Sequence, residues 1–325
     1  GPPAVHDGPG EAVGAAANAD DSWLTESARQ EVETTLASED AALHVCAAGE
    51  DRVNGYNIRC LRNGQWLLDE VINVWLALVK RASDASCHGG PGSPPRIYIM
   101  HSTFYPRLTN NARGYDYSWV HRWTKRSNVA DVFDHDLILV PIHLPGHWAL
   151  VAIDLRAHRI VYYDSLPETS EQLRLARSRK PCVALERWCD DEMRTKKLQD
   201  FDWFGWRTHV HGLSPQQHNG FDCGVFMCQG IKGLMSGSAD PFPFNQDAMP
   251  TLRLQMVHEL LRNELTPRAA ALPALPAGAP DPPVHARAAG CAAADMRQAL
   301  TAARWSDGLD VRARATYHQF FFLIG

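Results

Sequence analysis

The chain has 325 residues, 45% of them hydrophobic, and a formal net charge of −5, enough for one sizeable domain with tails. The mild acidity and the lack of a long Lys/Arg block argue against nucleic acid as a partner, and no apolar run approaches the ~20 residues that cross a bilayer. Eight cysteines without a regular spacing, and no basic-then-apolar leader with a cleavage site, fit a reducing compartment, nuclear and/or cytoplasmic, better than a disulfide framework. The opening Gly1-Pro2-Pro3, with no methionine, is what an excised piece of a longer protein or a cloning remnant would show.

Residues 1–22 are rich in Gly, Ala and Pro and are expected to be disordered. A short helix over 23–36 has Thr25 as its N-cap. The stretch 66–80 predicts a mostly buried helix whose narrow polar strip holds Asp69, Asn73 and Lys80. A Gly/Pro/Ser-rich loop over 83–95, a strand over 96–104 and a helix over 119–125 follow. Three runs dense in Val, Ile, Leu and Tyr, DLILVPIH (136–143), GHWALVAIDL (146–155) and RIVYYD (159–164), are expected to form the central sheet. If the last two make a hairpin that turns near 155–158, His147 and Asp164 face each other across the strands, with Cβ atoms about 5 Å apart. A slip of one residue would break that pairing.

Beyond the hairpin, 168–193 reads as a charged amphipathic helix interrupted by Pro181, and 201–210 as a further strand. The stretch QQHNGFDCG (216–224) then passes from a polar turn into an apolar helix. Asn219-Gly220 is a turn signal because both residues tolerate positive φ, and Asp222 is a good N-cap that places Cys223 on the first helical turn. Another helix spans 249–265. Residues 266–290 read as an Ala/Pro-rich linker and 291–325 as a tail of unknown role, which leaves 23–265 as the folded domain.

Unpaired backbone N–H groups at a helix start favour a thiolate, so Cys223 is a candidate nucleophile, although a lone cysteine is more often a small core residue. A nucleophilic cysteine needs an imidazole, and the imidazole an acid that orients it; His147 and Asp164 offer that pair. An oxyanion needs donors, which the Gln217 amide and the Cys223 N–H can supply. Taken singly, His147 would be a satisfied core histidine, Asp164 a strand-end cap and Gln217 solvated surface. Their joint placement changes the reading.

QQHNGFDCG, PIHLPGHWALVAIDLRAHRIVYYDS and QWLLDEVIN, in that family's order, resemble the Ulp1/sentrin-specific proteases, cysteine peptidases that process and remove the ubiquitin-like protein SUMO. The resemblance runs from about residue 56 to about 262. It implies an α+β, papain-like fold with a central mixed sheet flanked by helices, acting as a monomer without metal or organic cofactor. It also implies His147 as general base, Asp164 as its orienting acid, Cys223 as nucleophile and Gln217 as oxyanion donor. Trp66 and Trp148 match tryptophans that line a tunnel around the substrate's Gly-Gly tail, and Asp69 matches an aspartate that pairs with an arginine of the ubiquitin-like partner. Because glycine lacks a Cβ, two indoles closing over the chain would admit Gly-Gly and reject bulkier residues. Leu68 departs from the small polar residue usual before that aspartate and removes an N-cap.

Four other readings stand beside this one. The same chemistry could act on NEDD8 or ubiquitin, and an effector-type acetyltransferase uses a similar His/acid/Cys trio. A non-catalytic module could simply hold a ubiquitin-like protein. A zinc site from Cys182, Cys189, His209 and His211 is disfavoured, since their spacings make no pair of chelating motifs.

Overall fold

The computed structural model describes residues 25–87, 93–109, 114–124 and 131–266. Its centre is a five-stranded mixed sheet ordered β3-β4-β5-β6-β7, made of β3 (Ile97–Ile99), β4 (Leu137–Leu144), β5 (His147–Asp154), β6 (Arg159–Tyr163) and β7 (Arg207–His211). The three inner strands are antiparallel neighbours, and β3 and β7 join them in parallel at the edges. A separate hairpin pairs β1 (His44–Ala48) with β2 (Asp51–Asn54).

Every residue of β5 is buried, which is why that strand reads as a nearly unbroken apolar run. Its side chains alternate between two cores. Trp148, Leu150 and Ala152 pack with residues of α1 (Glu26–Ala37), α2 (Asp69–Ser86), α5 (Cys223–Met235) and α6 (Met249–Arg262). Ala149, Val151 and Ile153 pack with α3 (Phe104–Thr109) and α4 (Glu171–Lys197). Helices thus cover both faces of the sheet.

Several elements differ from their sequence reading, each for a local reason. Helix α2 begins at Asp69 rather than 66, because Leu67 packs on the start of α5 and the Leu68 N–H goes to the Cys60 sulfur, 3.4 Å away. No side chain caps that end, as Leu68 implied. Its other end runs to Ser86, into the expected loop. Asn73 is not on an exposed strip; it is buried, and its Oδ1 accepts the Ser102 N–H at 3.0 Å. The strand expected over 96–104 is only three residues long, and Phe104 already begins α3. The helix expected over 119–125 is a 3-10 turn at Tyr117–Trp119 followed by further turns, with residue 125 outside the described residues.

Helix α4 carries Pro181 inside it without ending there and runs on to Lys197. In 201–206, Phe201, Trp203 and Trp206 pack on one another instead of extending β7, which starts at Arg207. Thr25 caps α1 as expected, accepting the Ala28 N–H. Helix α6 ends at Arg262, where Asn263 turns left-handed. The expectations for 1–22, for 291–325 and for nearly all of 266–290 lie outside the described residues.

Candidate active site

The site sits where the sheet ends. His147 is the first residue of β5, and Asp164 lies one position past the end of β6. The β5/β6 register sets Leu150 opposite Tyr163, so His147 and Asp164 meet on a diagonal rather than directly opposed. They still share a face, and His147 Nε2 lies 2.7 Å from Asp164 Oδ1. The Cys223 side chain acts on the same imidazole and helps it hold its proton. Cys223 opens α5, so its sulfur lies beside the helix's unpaired N–H groups. His147 and Cys223 are buried, and the Asp164 side chain is 9% exposed.

Burial disfavours a charge on His147, but the Asp164 carboxylate, the hydrogen bond to it and the neighbouring Cys223 side chain outweigh it and lift the imidazole to about 9. Burial likewise pushes Asp164 up, yet the imidazole, the Arg177 guanidinium and the Leu166 N–H bring it down to about 2. Arg177 Nη1 stands 3.0 Å from Asp164 Oδ2, and the Tyr162 hydroxyl donates to the same oxygen at 3.2 Å. Near neutrality the pair is therefore imidazolium and carboxylate. The other buried cysteines, Cys46, Cys60, Cys182, Cys189 and Cys228, have thiols pushed up by burial and remain protonated.

Two readings of the nucleophile loop need correction. Neither Asn219 nor Gly220 takes a positive φ; the turn is closed instead by the Asn219 side chain, whose Oδ1 accepts the N–H groups of Phe221 and Asp222, each at 3.1 Å. Asp222 makes no capping bond to α5, because its carboxylate is taken by Arg253, Asn219 and Gln246. Gln217 is buried rather than solvated. Its Oε1 accepts from Ser165 Oγ at 2.7 Å and its Nε2 donates to the Asn219 carbonyl at 2.6 Å. An amide nitrogen carries two N–H groups, and that bond uses one.

Trp66 is 48% exposed and lies over the β4–β5 turn, where a Cβ on Gly146 would stand 3.2 Å from its Cη2. Trp148 is buried and stacks on His143, with ring centroids 4.0 Å apart. Asp69 Oδ1 is 3.9 Å from His143 Nδ1. Burial raises Asp69 and lowers His143, and each partly offsets the shift of the other. The structure thus sets Trp66 and Trp148 around the turn that leads to His147, with Asp69 linked to Trp148 through His143.

Sequence reasoning missed Arg177, His143 and Arg253. The contacts of Arg177 and Arg253 are tertiary, and α4 and α6 gave no signal that one arginine would turn inward; His143 faces Trp148 across the β4–β5 hairpin, and only its approach to Asp69 is long-range. The zinc reading fails on geometry. Among the described residues no three His, Cys, Asp or Glu side chains gather as a metal site; His209 meets Glu186 and His211 meets Ser178.

The model of the Ulp1 protease family C-terminal catalytic domain matches residues 65–265. The chain belongs to the Ulp1 protease family. It is 32% identical over 245 residues to human Sentrin-specific protease 2, covering 74% of this chain and 38% of that one. It is 33% identical over 213 residues to Arabidopsis thaliana Ubiquitin-like-specific protease 1A, covering 65% and 39%. The chain therefore spans about four-tenths of the length of these curated relatives. Among solved structures, the C-terminal Ulp1 protease domain in complex with Smt3, the yeast ortholog of SUMO, matches with a TM-score of 0.58 at 25% identity, covering 74% of this chain and 96% of that one. The α+β architecture with its mixed central sheet is the Ulp1-type fold.

Proposed function

We propose that this chain is a cysteine peptidase that hydrolyses the peptide or isopeptide bond after the C-terminal Gly-Gly of a SUMO-like modifier. One observation carries the reading: a buried imidazole bonds the Asp164 carboxylate at 2.7 Å and has its proton affinity raised by the Cys223 side chain, which opens α5. Membership of the Ulp1 family, and the Smt3 complex of the yeast relative, support the choice of substrate.

The Cys223 sulfur attacks the terminal glycine carbonyl, and the Cys223 N–H and the second Gln217 N–H stabilise the resulting oxyanion. Each such donor contributes about 3 kcal/mol to the transition state. Protonated His147 hands its proton to the leaving amine, which departs and leaves a thioester. A water that gives one proton to His147 then attacks the thioester; the carbon–sulfur bond breaks, the glycine acid loses its remaining proton to solvent, and the sulfur is left unprotonated beside protonated His147, as at the start. Asp164 holds the ring in place and stabilises its charge throughout. Trp66 and Trp148 close over the tail, and Asp69 receives a cationic side chain of the modifier.

The test is turnover of a SUMO-fluorophore beside a ubiquitin-fluorophore, with Cys223→Ala as control. Release from SUMO that the substitution abolishes is expected. Release from ubiquitin alone would move the assignment to the other modifier, and no release from either would reject peptidase activity.

A further inference from the structure

Arg253 projects from α6 with 1% of its side chain exposed, and touches none of the three groups proposed to react. Its guanidinium reaches the carbonyls of Cys60 and Arg62 through Nη1 at 3.1 and 3.2 Å. Through Nη2 it reaches the carbonyls of Gln65 and Phe221 at 2.8 and 3.1 Å. The Asp222 Oδ1 accepts from Nε at 2.9 Å and from Nη2 at 2.7 Å. These acceptors fall into two groups. Cys60, Arg62 and Gln65 belong to the segment that delivers Trp66, whereas Phe221 and Asp222 immediately precede Cys223.

The second group is itself tied together. Asp222 also accepts from Asn219 Nδ2 and Gln246 Nε2, and Gln246 Oε1 accepts the His218 N–H. A displacement of this guanidinium would therefore release both segments at once. Farther along, Leu67 packs against Gly224 and Trp66 over Gly146, so the Arg253 contacts set where the indole stands relative to the sulfur.

We propose that Arg253 is a positioning residue that holds the Trp66 wall in register with Cys223, so that a tail lying under the indole presents its carbonyl to the sulfur. The proposal rests on the peptidase reading of the site. A guanidinium suits this task because it offers five N–H donors in a fixed plane; an ammonium could pair with Asp222 but could not reach four carbonyls on two sides.

The test follows two reagents at the Cys223 peptide by mass spectrometry. Iodoacetamide needs only the sulfur, whereas a peptide chloromethyl ketone ending in Gly-Gly needs the wall as well. Both are applied to wild type, Arg253→Lys, Trp66→Ala and the double variant, beside kcat/KM on the SUMO-fluorophore. Arg253→Lys is expected to change the iodoacetamide rate by less than about threefold while slowing the peptide reagent and turnover by about tenfold or more. On top of Trp66→Ala it should add less than about twofold, since both substitutions undo the same relation.

Equal slowing of both reagents, an unchanged peptide rate, or fully multiplicative losses in the double variant would each overturn the proposal. If Arg253→Lys does not fold, Arg253→Gln combined with Asp222→Asn takes its place under the same criteria, because it buries no unpaired charge. A wild type that reacts with the peptide reagent but cleaves no modifier defeats the substrate reading alone, and the two-reagent comparison still decides Arg253.

Discussion

Two acid–arginine pairs flank the site, and they grip different things. Asp222 and Arg253 are each 1% exposed, and the arginine's remaining partners are backbone carbonyls. Asp164 pairs with Arg177, which is 20% exposed and whose other partner is a second carboxylate, Glu168, at 3.2 Å. Carbonyls constrain direction and carboxylates balance charge, so the first pair holds atoms in place while the second sets proton affinity. Imidazolium and guanidinium face two carboxylates there, a balanced cluster at little cost in net buried charge. A nucleophile has to be placed, and its base has to be tuned.

Removing the charge at its source should have the largest effect. Asp164→Asn keeps the size of the side chain but withdraws what lifts His147, and kcat/KM should fall about 10²- to 10⁴-fold, comparable to the loss of an orienting acid elsewhere. His147 titrates at about 9 in the folded protein, above the ~6.5 of an unfolded chain. Its contribution to stability is thus complete below the unfolded value and is lost as pH rises through about 9. In Asp164→Asn the alkaline limb of the iodoacetamide pH profile should move to lower pH. A limb that stays put would mean that Asp164 does not set the imidazole's proton affinity.

A smaller effect separates the two arginines. Arg177→Gln removes one charge-assisted contact on Asp164, so kcat/KM should drop about tenfold, whereas Arg177→Lys should stay within about twofold because it keeps the charge. Asp164 is held at about 2, below the ~3.9 of an unfolded aspartate, so its stabilisation is present above that value and is lost as pH falls through about 2. Without Arg177 that depression shrinks, and acid unfolding followed by circular dichroism should begin at a higher pH. If Lys at 177 proves as damaging as Lys at 253, the division into a placing pair and a tuning pair fails.

How much of this was legible in the sequence depends on the range of each contact. The three inner strands, the Cys223 helix and the pairing of His147 with Asp164 could be read because apolar runs and turn length are local. The diagonal offset could not, since turn length alone does not fix a register. Asp222 shows the limit most plainly: next to a helix start it carries every mark of an N-cap, but a buried guanidinium 31 positions away along the chain takes the carboxylate. Trp66 was read into α2 because its apolar neighbours continue the helical period, while packing on Gly146 and Gly224 holds that segment outside the helix. Arg177 sits among other charges on α4, where nothing in the period distinguishes the one that turns toward Asp164.

The smallest expected effect probes the wall from the side opposite Arg253. Gly146 has φ +68°, and a Cβ there would stand 3.2 Å from Trp66 Cη2. Gly146→Ala places an L side chain in the left-handed region, which costs about 1–2 kcal/mol and lowers Tm by roughly 2–8 °C in a domain of this size. The new methyl also pushes the indole by a few tenths of an ångström without freeing it, because the Arg253 contacts behind it are intact. KM for the SUMO-fluorophore should rise about two- to threefold with kcat nearly unchanged, the mark of weakened binding that is equal in ground and transition states. Arg253→Lys, by contrast, frees the wall and should reduce kcat. A Gly146→Ala protein that loses kcat as heavily as Arg253→Lys would show that the register of the indole depends on the hairpin turn, and the weight given to the buried guanidinium would have to move there.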